Sequence, residues 1–268
     1  FGYGAAFLWH GPVSADYDLS AADTTITGLA ITDSTGRGLS GGNVNGDSYS
    51  DLLIGSYNCW DNGDDGNFGA GRSDIFYGPV SAGTLDINDS DVQLYGESGG
   101  DHFGKAGSVA GDVDGDGYND VLVCAPRESS VGSENGACYL FYGSASFTGA
   151  KYAGTDNDTK FVGTEAGAKA GTFGTIADIN GDGLGDVIIG ATGEEVVYPS
   201  SYIGGAYIFY APIDFGTLSL SAADAKLEGE YQNDLAATSV GIGDFNGDGC
   251  PDFIVGAPES SRDATNGG

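Results

Sequence analysis

Short apolar runs, not a helical stripe, set the pattern of this chain. Residues 52–54, 121–123, 187–189 and 253–255 are apolar and largely β-branched, and each directly follows an Asp-rich stretch. Runs of that length and content predict buried inner strands. A second strand signal, rich in aromatics and ended mostly by Gly or Pro, falls at 5–10, 74–77, 137–142 and 206–210. A third falls around 24–27, 92–95, 160–162 and 226–228, before a Gly- or Ala-rich strand leads into the next Asp-rich stretch. Four strands per unit describe a propeller blade.

The units recur with a fixed period. The Asp-rich stretches begin at Asn43, Asp112, Asp178 and Asp244, which are 69, 66 and 66 residues apart. Periods of that length belong to propellers or tandem arrays. Counted from Asp244 through the end of the chain and on from Phe1, Asn43 lies 67 residues away, matching the internal period. The last unit breaks off where its aromatic strand is due, and residues 5–10 supply that strand. The expected fold is therefore all-β, a single propeller over residues 1–268. It would have four blades of four antiparallel strands, with the N-terminal strand completing the last blade, because an unpaired terminal blade exposes sheet edges. A tandem array whose neighbouring units exchange this strand is the alternative.

Within each nine-residue stretch (43–51, 112–120, 178–186, 244–252) positions 1, 3, 5 and 9 are Asp or Asn and position 4 is Gly. Position 7 varies freely, as a residue may when only its backbone carbonyl is used. The candidate ligands are Asn43, Asn45, Asp47, Tyr49 and Asp51; Asp112, Asp114, Asp116, Tyr118 and Asp120; Asp178, Asn180, Asp182, Leu184 and Asp186; Asp244, Asn246, Asp248, Cys250 and Asp252. Oxygen-only ligation of this kind suits Ca²⁺, up to four ions in all. Carboxylates held this close repel one another and resist desolvation, and a divalent ion removes that conflict. An EF-hand would need Glu at position 12, where Ile54, Val123, Ile189 and Val255 stand instead. The first stretch carries two Asp and two Asn, the lowest formal charge of the four, so its site is expected to bind weakest.

Composition narrows the partners. Acidic residues number 39 against 9 basic, a net charge of −30, which excludes nucleic acid as a partner because phosphate neutralisation needs clustered Lys and Arg. No apolar run approaches the roughly 18 residues of a membrane helix. With no methionine and a start inside a repeat unit, the chain reads as a processed or trimmed segment. Cys124 closes one inner strand and Cys138 opens the neighbouring aromatic strand, which leaves a hairpin-spanning disulfide or two buried thiols. Cys59 and Cys250 fall on opposite faces of a ring, so a bond between them would join stacked molecules head to tail. Asn88 and Asn157 head glycosylation sequons.

Catalytic signals are weak. Gly38-Leu-Ser-Gly-Gly42 matches a nucleophile elbow, but that motif requires a strand-to-helix turn and here leads into an Asp-rich stretch. His10 is expected to end an aromatic strand and His102 to sit in a turn. The chain is thus expected not to be an enzyme. Trp9, Tyr77, Tyr142, Phe209 and Tyr210 occupy equivalent strands, where they either pack between blades or form a sugar-stacking platform.

These residues resemble the FG-GAP repeats that build the propeller of integrin alpha subunits and of many extracellular proteins. Phe103-Gly104, the loop 112–120 and Ala125-Pro126 fit the repeat, and Gly256-Ala-Pro258 and Gly136-Ala137-Cys-Tyr-Leu-Phe-Tyr142 repeat other parts of it. The resemblance implies a calcium-bound propeller used outside the cell for adhesion or assembly. Four blades instead of the integrin seven is a departure, so no ligand-binding face is carried over. The expected role is a structural or adhesive propeller that associates with proteins or with itself, with the subunit of a surface filament as one form of that role. A carbohydrate-binding module and a non-catalytic domain of a secreted enzyme are the alternatives.

Overall fold

The structure is a computed structural model that describes residues 2–13, 16, 18–59, 69–193, 203–231, 233–249 and 251–260. Its strands are β1 (Ala5–Leu8), β2 (Thr24–Thr27), β3 (Thr35–Gly42), β4 (Asp51–Ser56), β5 (Arg72–Phe76), β6 (Gly83–Asp86), β7 (Val92–Tyr95), β8 (Ala106–Gly111), β9 (Asp120–Ala125) and β10 (Ala137–Phe141). They continue as β11 (Gly149–Tyr152), β12 (Thr159–Val162), β13 (Ala170–Ala177), β14 (Asp186–Ala191), β15 (Gly205–Phe209), β16 (Gly216–Ser219), β17 (Ala225–Glu228), β18 (Ser239–Gly243) and β19 (Asp252–Gly256).

Three units form the expected antiparallel four-strand order: β3-β4-β5-β7, β8-β9-β10-β12 and β13-β14-β15-β17. The inner strands stand side by side, β3 against β8, β8 against β13 and β13 against β18. Glycine permits that approach. A Cβ on Gly42 would lie 1.9 Å from the Val109 carbonyl oxygen, and one on Gly55 would lie 1.9 Å from that of Gly104. The apolar runs of β4, β9 and β14 are buried between sheets. Leu53, Val109, Val121, Val123 and Tyr139 fill the first inter-sheet core, and Leu122, Phe161, Ile176, Val187, Ile189 and Tyr207 the second.

The sequence reading omitted β6, β11 and β16. Each lies in the connection after an aromatic strand and pairs in parallel with an outer strand, β6 with β2, β11 with β7 and β16 with β12. They cover an edge that the four-strand unit would leave open.

The ends depart from the expected closed ring. β18 and β19 form a two-stranded sheet and β1-β2-β6 a three-stranded one, and among the described residues no ladder joins them. Burial follows: Ile254 of β19 is 63% exposed, whereas its equivalents Leu53, Leu122 and Ile188 are at most 3% exposed. Cys124 and Cys138 face each other in the β9-β10 register and are disulfide-bonded. Cys59 is buried with Ile26, Ile54, Phe76 and Ile87. Its thiol is therefore not presented to a neighbouring molecule, which corrects the head-to-tail disulfide expected from its position; Cys250 lies outside the described residues. No helix among the described residues is long and apolar enough to cross a membrane.

Candidate metal centre

The four Asp-rich loops join inner strand to inner strand (β3 to β4, β8 to β9, β13 to β14, β18 to β19), so they share one face of the molecule. Glycine at position 4 makes the turn: Gly46, Gly115, Gly181 and Gly247 have φ between 73° and 81°, a region that costs other residues strain. Side chains then organise each loop by accepting backbone N–H groups. The position-1 oxygens of Asp112, Asp178 and Asp244 accept from Gly115, Gly181 and Gly247 at 2.6–2.7 Å, and from Gly117, Gly183 and Gly249 at 2.7–2.9 Å. Position 3 accepts from position 5, as from Asp116 to Asp114 at 3.1 Å and from Asp182 to Asn180 at 2.9 Å. Position 5 accepts from position 7, as from Tyr118 to Asp116 and from Leu184 to Asp182.

This scaffold turns carboxylates toward a common point. Ligand atoms of Asp112, Asp114 and Asp116 lie within 4.8 Å of one another. Three hard oxygen donors at that spacing fit a calcium ion and not a thiophilic metal. The first loop differs. Asn43 donates its side-chain amide to the Asp47 carbonyl, so a donor nitrogen stands where the other loops offer a second carboxylate oxygen.

Position 9 has a second task that sequence reasoning missed. Asp51, Asp120 and Asp186 are buried. One oxygen of each accepts the N–H of position 2 (Val44, Val113, Ile179), and the other accepts the N–H just beyond an aromatic strand (Gly78, Gly143, Ala211). The carboxylate thus fixes the loop to its own sheet. Burial pushes Asp120 up to about 7 and also raises Asp51 and Asp186, against the pull of those amides. In the fourth loop Asp252 accepts from Phe245 and Asn246, and among the described residues no amide beyond an aromatic strand donates to it.

Adjacent loops are also linked. The position-8 N–H of Asn119 donates to the Asn43 carbonyl at 3.0 Å, and that of Gly185 to the Asp112 carbonyl at 2.7 Å. The position-7 side chains interlock the same loops, Tyr118 lying over Gly46 and Leu184 against Gly115. Tyr49 is 52% exposed.

Other candidate residues divide clearly. Ser40 of the elbow-like motif lies inside β3 and accepts the Val109 N–H at 3.0 Å, not in a strand-to-helix turn. Phe209 is buried against Phe161, and Tyr77 and Tyr142 are partly buried against the cores, so inter-sheet packing holds for them. Tyr210 is 39% exposed. The Asn88 side-chain oxygen accepts from Arg72, and that of Asn157 from the Gly154 N–H.

Comparison with known proteins adds kinship. Residues 103–141, 170–209 and 236–268 match the FG-GAP repeat. Phosphatidylinositol-glycan-specific phospholipase D of Dictyostelium discoideum is 27% identical over 209 residues, 70% of this chain and 21% of that protein. The mouse protein of the same name is 39% identical over 98 residues, 34% of this chain and 11% of that protein. Integrin alpha-PS3 of Drosophila melanogaster is 28% identical over 188 residues, 66% of this chain and 15% of that protein. The chain therefore spans about a fifth or less of these relatives.

Proposed function

Because this chain is an FG-GAP repeat protein related to integrin alpha chains and to phosphatidylinositol-glycan-specific phospholipase D, we propose that it is a calcium-stabilised propeller of the cell surface or extracellular space that binds other proteins. The observation carrying this reading is the convergence of Asp112, Asp114 and Asp116 on a loop scaffold that the third and fourth loops share, their position-1 carboxylates likewise accepting from the glycines at positions 4 and 6. The ligands are those at positions 1, 3, 5 and 9 of the four loops, with the carbonyl at position 7. Asn43–Asp51 is the weakest site, since Asn43 turns an amide inward. The ions are structural: each neutralises the mutually repelling carboxylates of its own loop, whose position-9 carboxylate ties it to its sheet. The fourth blade closes when β1 adds to β19, either within the chain or from a neighbour.

A second reading follows from the phospholipase relatives, in which the chain is a non-catalytic domain of a larger secreted enzyme. Both readings need the ion. At calcium 100-fold above the dissociation constant each occupied site contributes about 2.7 kcal/mol, so melting in excess chelator is expected to fall well below melting in millimolar calcium. An Asp116→Ala variant is expected to recover less of that difference. Identical melting curves with calcium and with chelator would remove calcium from the account.

A further inference from the structure

Asparagine followed by glycine is a labile pair. The next backbone nitrogen can attack the asparagine's own amide carbon, and glycine sets no Cβ in its path. The pair occurs at Asn45, Asn62, Asn135, Asn180, Asn246 and Asn266, of which Asn62 and Asn266 lie outside the described residues. The other four stand in very different surroundings. Asn135 is fully buried. Its side-chain oxygen accepts the Val131 and Gly132 N–H groups at 3.1 Å, and its amide donates to Glu128 at 3.1 Å and to the Gly136 carbonyl at 3.0 Å. The Gly136 N–H is itself committed to the Glu128 carbonyl at 2.9 Å.

The three loop asparagines, all at position 3, differ among themselves. Asn45 is half-buried and its glycine is roofed, since a Cβ on Gly46 would lie 2.4 Å from the Tyr118 ring. Asn180 and Asn246 are exposed. Among the described residues, no atom outside the adjoining residues comes within 4 Å of where a Cβ of Gly181 or Gly247 would stand. In these two open loops the reacting atoms are also prepared. The side-chain oxygens of Asn180 and Asn246 accept the N–H of Asp182 and Asp248 at 2.9 and 2.8 Å, which draws electrons from the carbon to be attacked. The Gly181 and Gly247 N–H groups donate to the carboxylates of Asp178 and Asp244 at 2.7 and 2.6 Å, charge-assisted bonds that leave more electron density on nitrogen. The Gly46 N–H donates instead to the neutral Asn43 side chain at 2.8 Å.

We infer that Asn180 and Asn246 are sites of spontaneous deamidation, and that Asn45 and Asn135 are shielded from it. At the third loop, the Gly181 nitrogen loses its proton to solvent base and forms a bond to Asn180 Cγ; the Cγ–Nδ2 bond breaks and ammonia leaves. Water then opens the cyclic imide at either carbonyl, giving aspartate or isoaspartate, with no change of oxidation state. Aspartate gives the third loop the residue that the second carries natively, for Asp114 accepts the Asp116 N–H as Asn180 accepts that of Asp182. Isoaspartate adds a carbon to the backbone and parts Gly181 from Asp178. The reaction itself needs no calcium. Its slowing by calcium rests on the proposed function, in which position 3 is a ligand and is not free to turn toward the backbone.

The test is incubation of the chain at mildly alkaline pH, in chelator and in millimolar calcium, followed by peptide mapping with mass spectrometry. Asn180 and Asn246 are expected to convert roughly tenfold faster than Asn45 and Asn135, because a packed site must first open locally. The same ranking at lower rates is expected in calcium, which keeps the test decisive if the chelated chain unfolds. Tyr118→Ala, which unroofs Gly46, is expected to raise the Asn45 rate several-fold and leave Asn135 unchanged. Equal rates at all four sites in calcium, no conversion of Asn180 and Asn246 in either sample, or an Asn45 rate unmoved by Tyr118→Ala would each overturn the inference. Rates that rank as expected but are alike with and without calcium would support it and count against position 3 as a ligand.

Discussion

Lys160 is surrounded by acids that lie far apart in the chain. Its Nζ donates to Glu97 at 2.7 Å and to Glu128 at 3.0 Å, Tyr139 donates its hydroxyl to Glu97 at 2.8 Å, and Asn135 donates to Glu128 at 3.1 Å. Asp101 lies beside this group, and burial, reinforced by Glu128 and Glu97, pushes its pKa up to about 7. A carboxyl raised in this way holds its proton more tightly folded than unfolded. Its contribution is fully present below about pH 4 and is lost as the pH rises through about 7. Urea unfolding from pH 4 to 8 is therefore expected to show stability falling across that window, and Asp101→Asn to flatten the fall. A variant with an unchanged pH slope would assign the effect elsewhere. None of this was legible from one-dimensional order, in which Asp101 is one acid among 39. The loop acids were legible because each set lies within nine residues, so local turn geometry alone brings it together.

At the scale of the element, the strands that alternate with Asp-rich loops announced themselves, because buried strands require contiguous apolar side chains. β6, β11 and β16 gave no such signal: they are four residues long and largely exposed. What places them is a neighbour's free backbone groups, which composition does not record. The same need applies at β19, whose outer edge carries the exposed Phe253 and Ile254. Registers fix what would cover it. Ala6 pairs with Ile26 as Cys138 pairs with Phe161, and Gly256 pairs with Ser239 as Cys124 pairs with Ala106. Ala6 and Gly256 thus occupy the positions of the native disulfide in the proposed fourth blade. An Ala6→Cys/Gly256→Cys variant is expected to oxidise readily, giving a monomer if the blade closes within one chain and a dimer if copies exchange strands. Two persistently free new thiols would refute the closure. Gly11 would then supply the amide that Gly78, Gly143 and Ala211 give to the other position-9 carboxylates.

Over the whole molecule, the Asp-rich loops are coupled in series. Asn119 and Gly185 hold the position-1 carbonyls of the preceding loops, so ordering one loop orders a candidate ligand residue of the one before. The chain of bonds stops at the fourth loop, where Pro251 occupies position 8 and has no N–H to give. Calcium titration followed by calorimetry is expected to show positive cooperativity among the first three loops, with a coupling of about 1 kcal/mol or more, and an independent fourth site. Asn119→Pro is expected to uncouple the first loop; four identical, independent sites would contradict the linkage. Sequence alone determined the repeat period, the strand types and the Asp/Asn pattern of each loop. The strand types and loop patterns are local properties, set by side-chain alternation and turn chemistry over fewer than ten residues, and the period is their recurrence. Tertiary structure decided which carboxylates are clamps as well as candidate ligands, how one loop holds the next, and that Cys59 is buried. Those depend on contacts between residues tens of positions apart, and only the stacking of sheets brings such residues together.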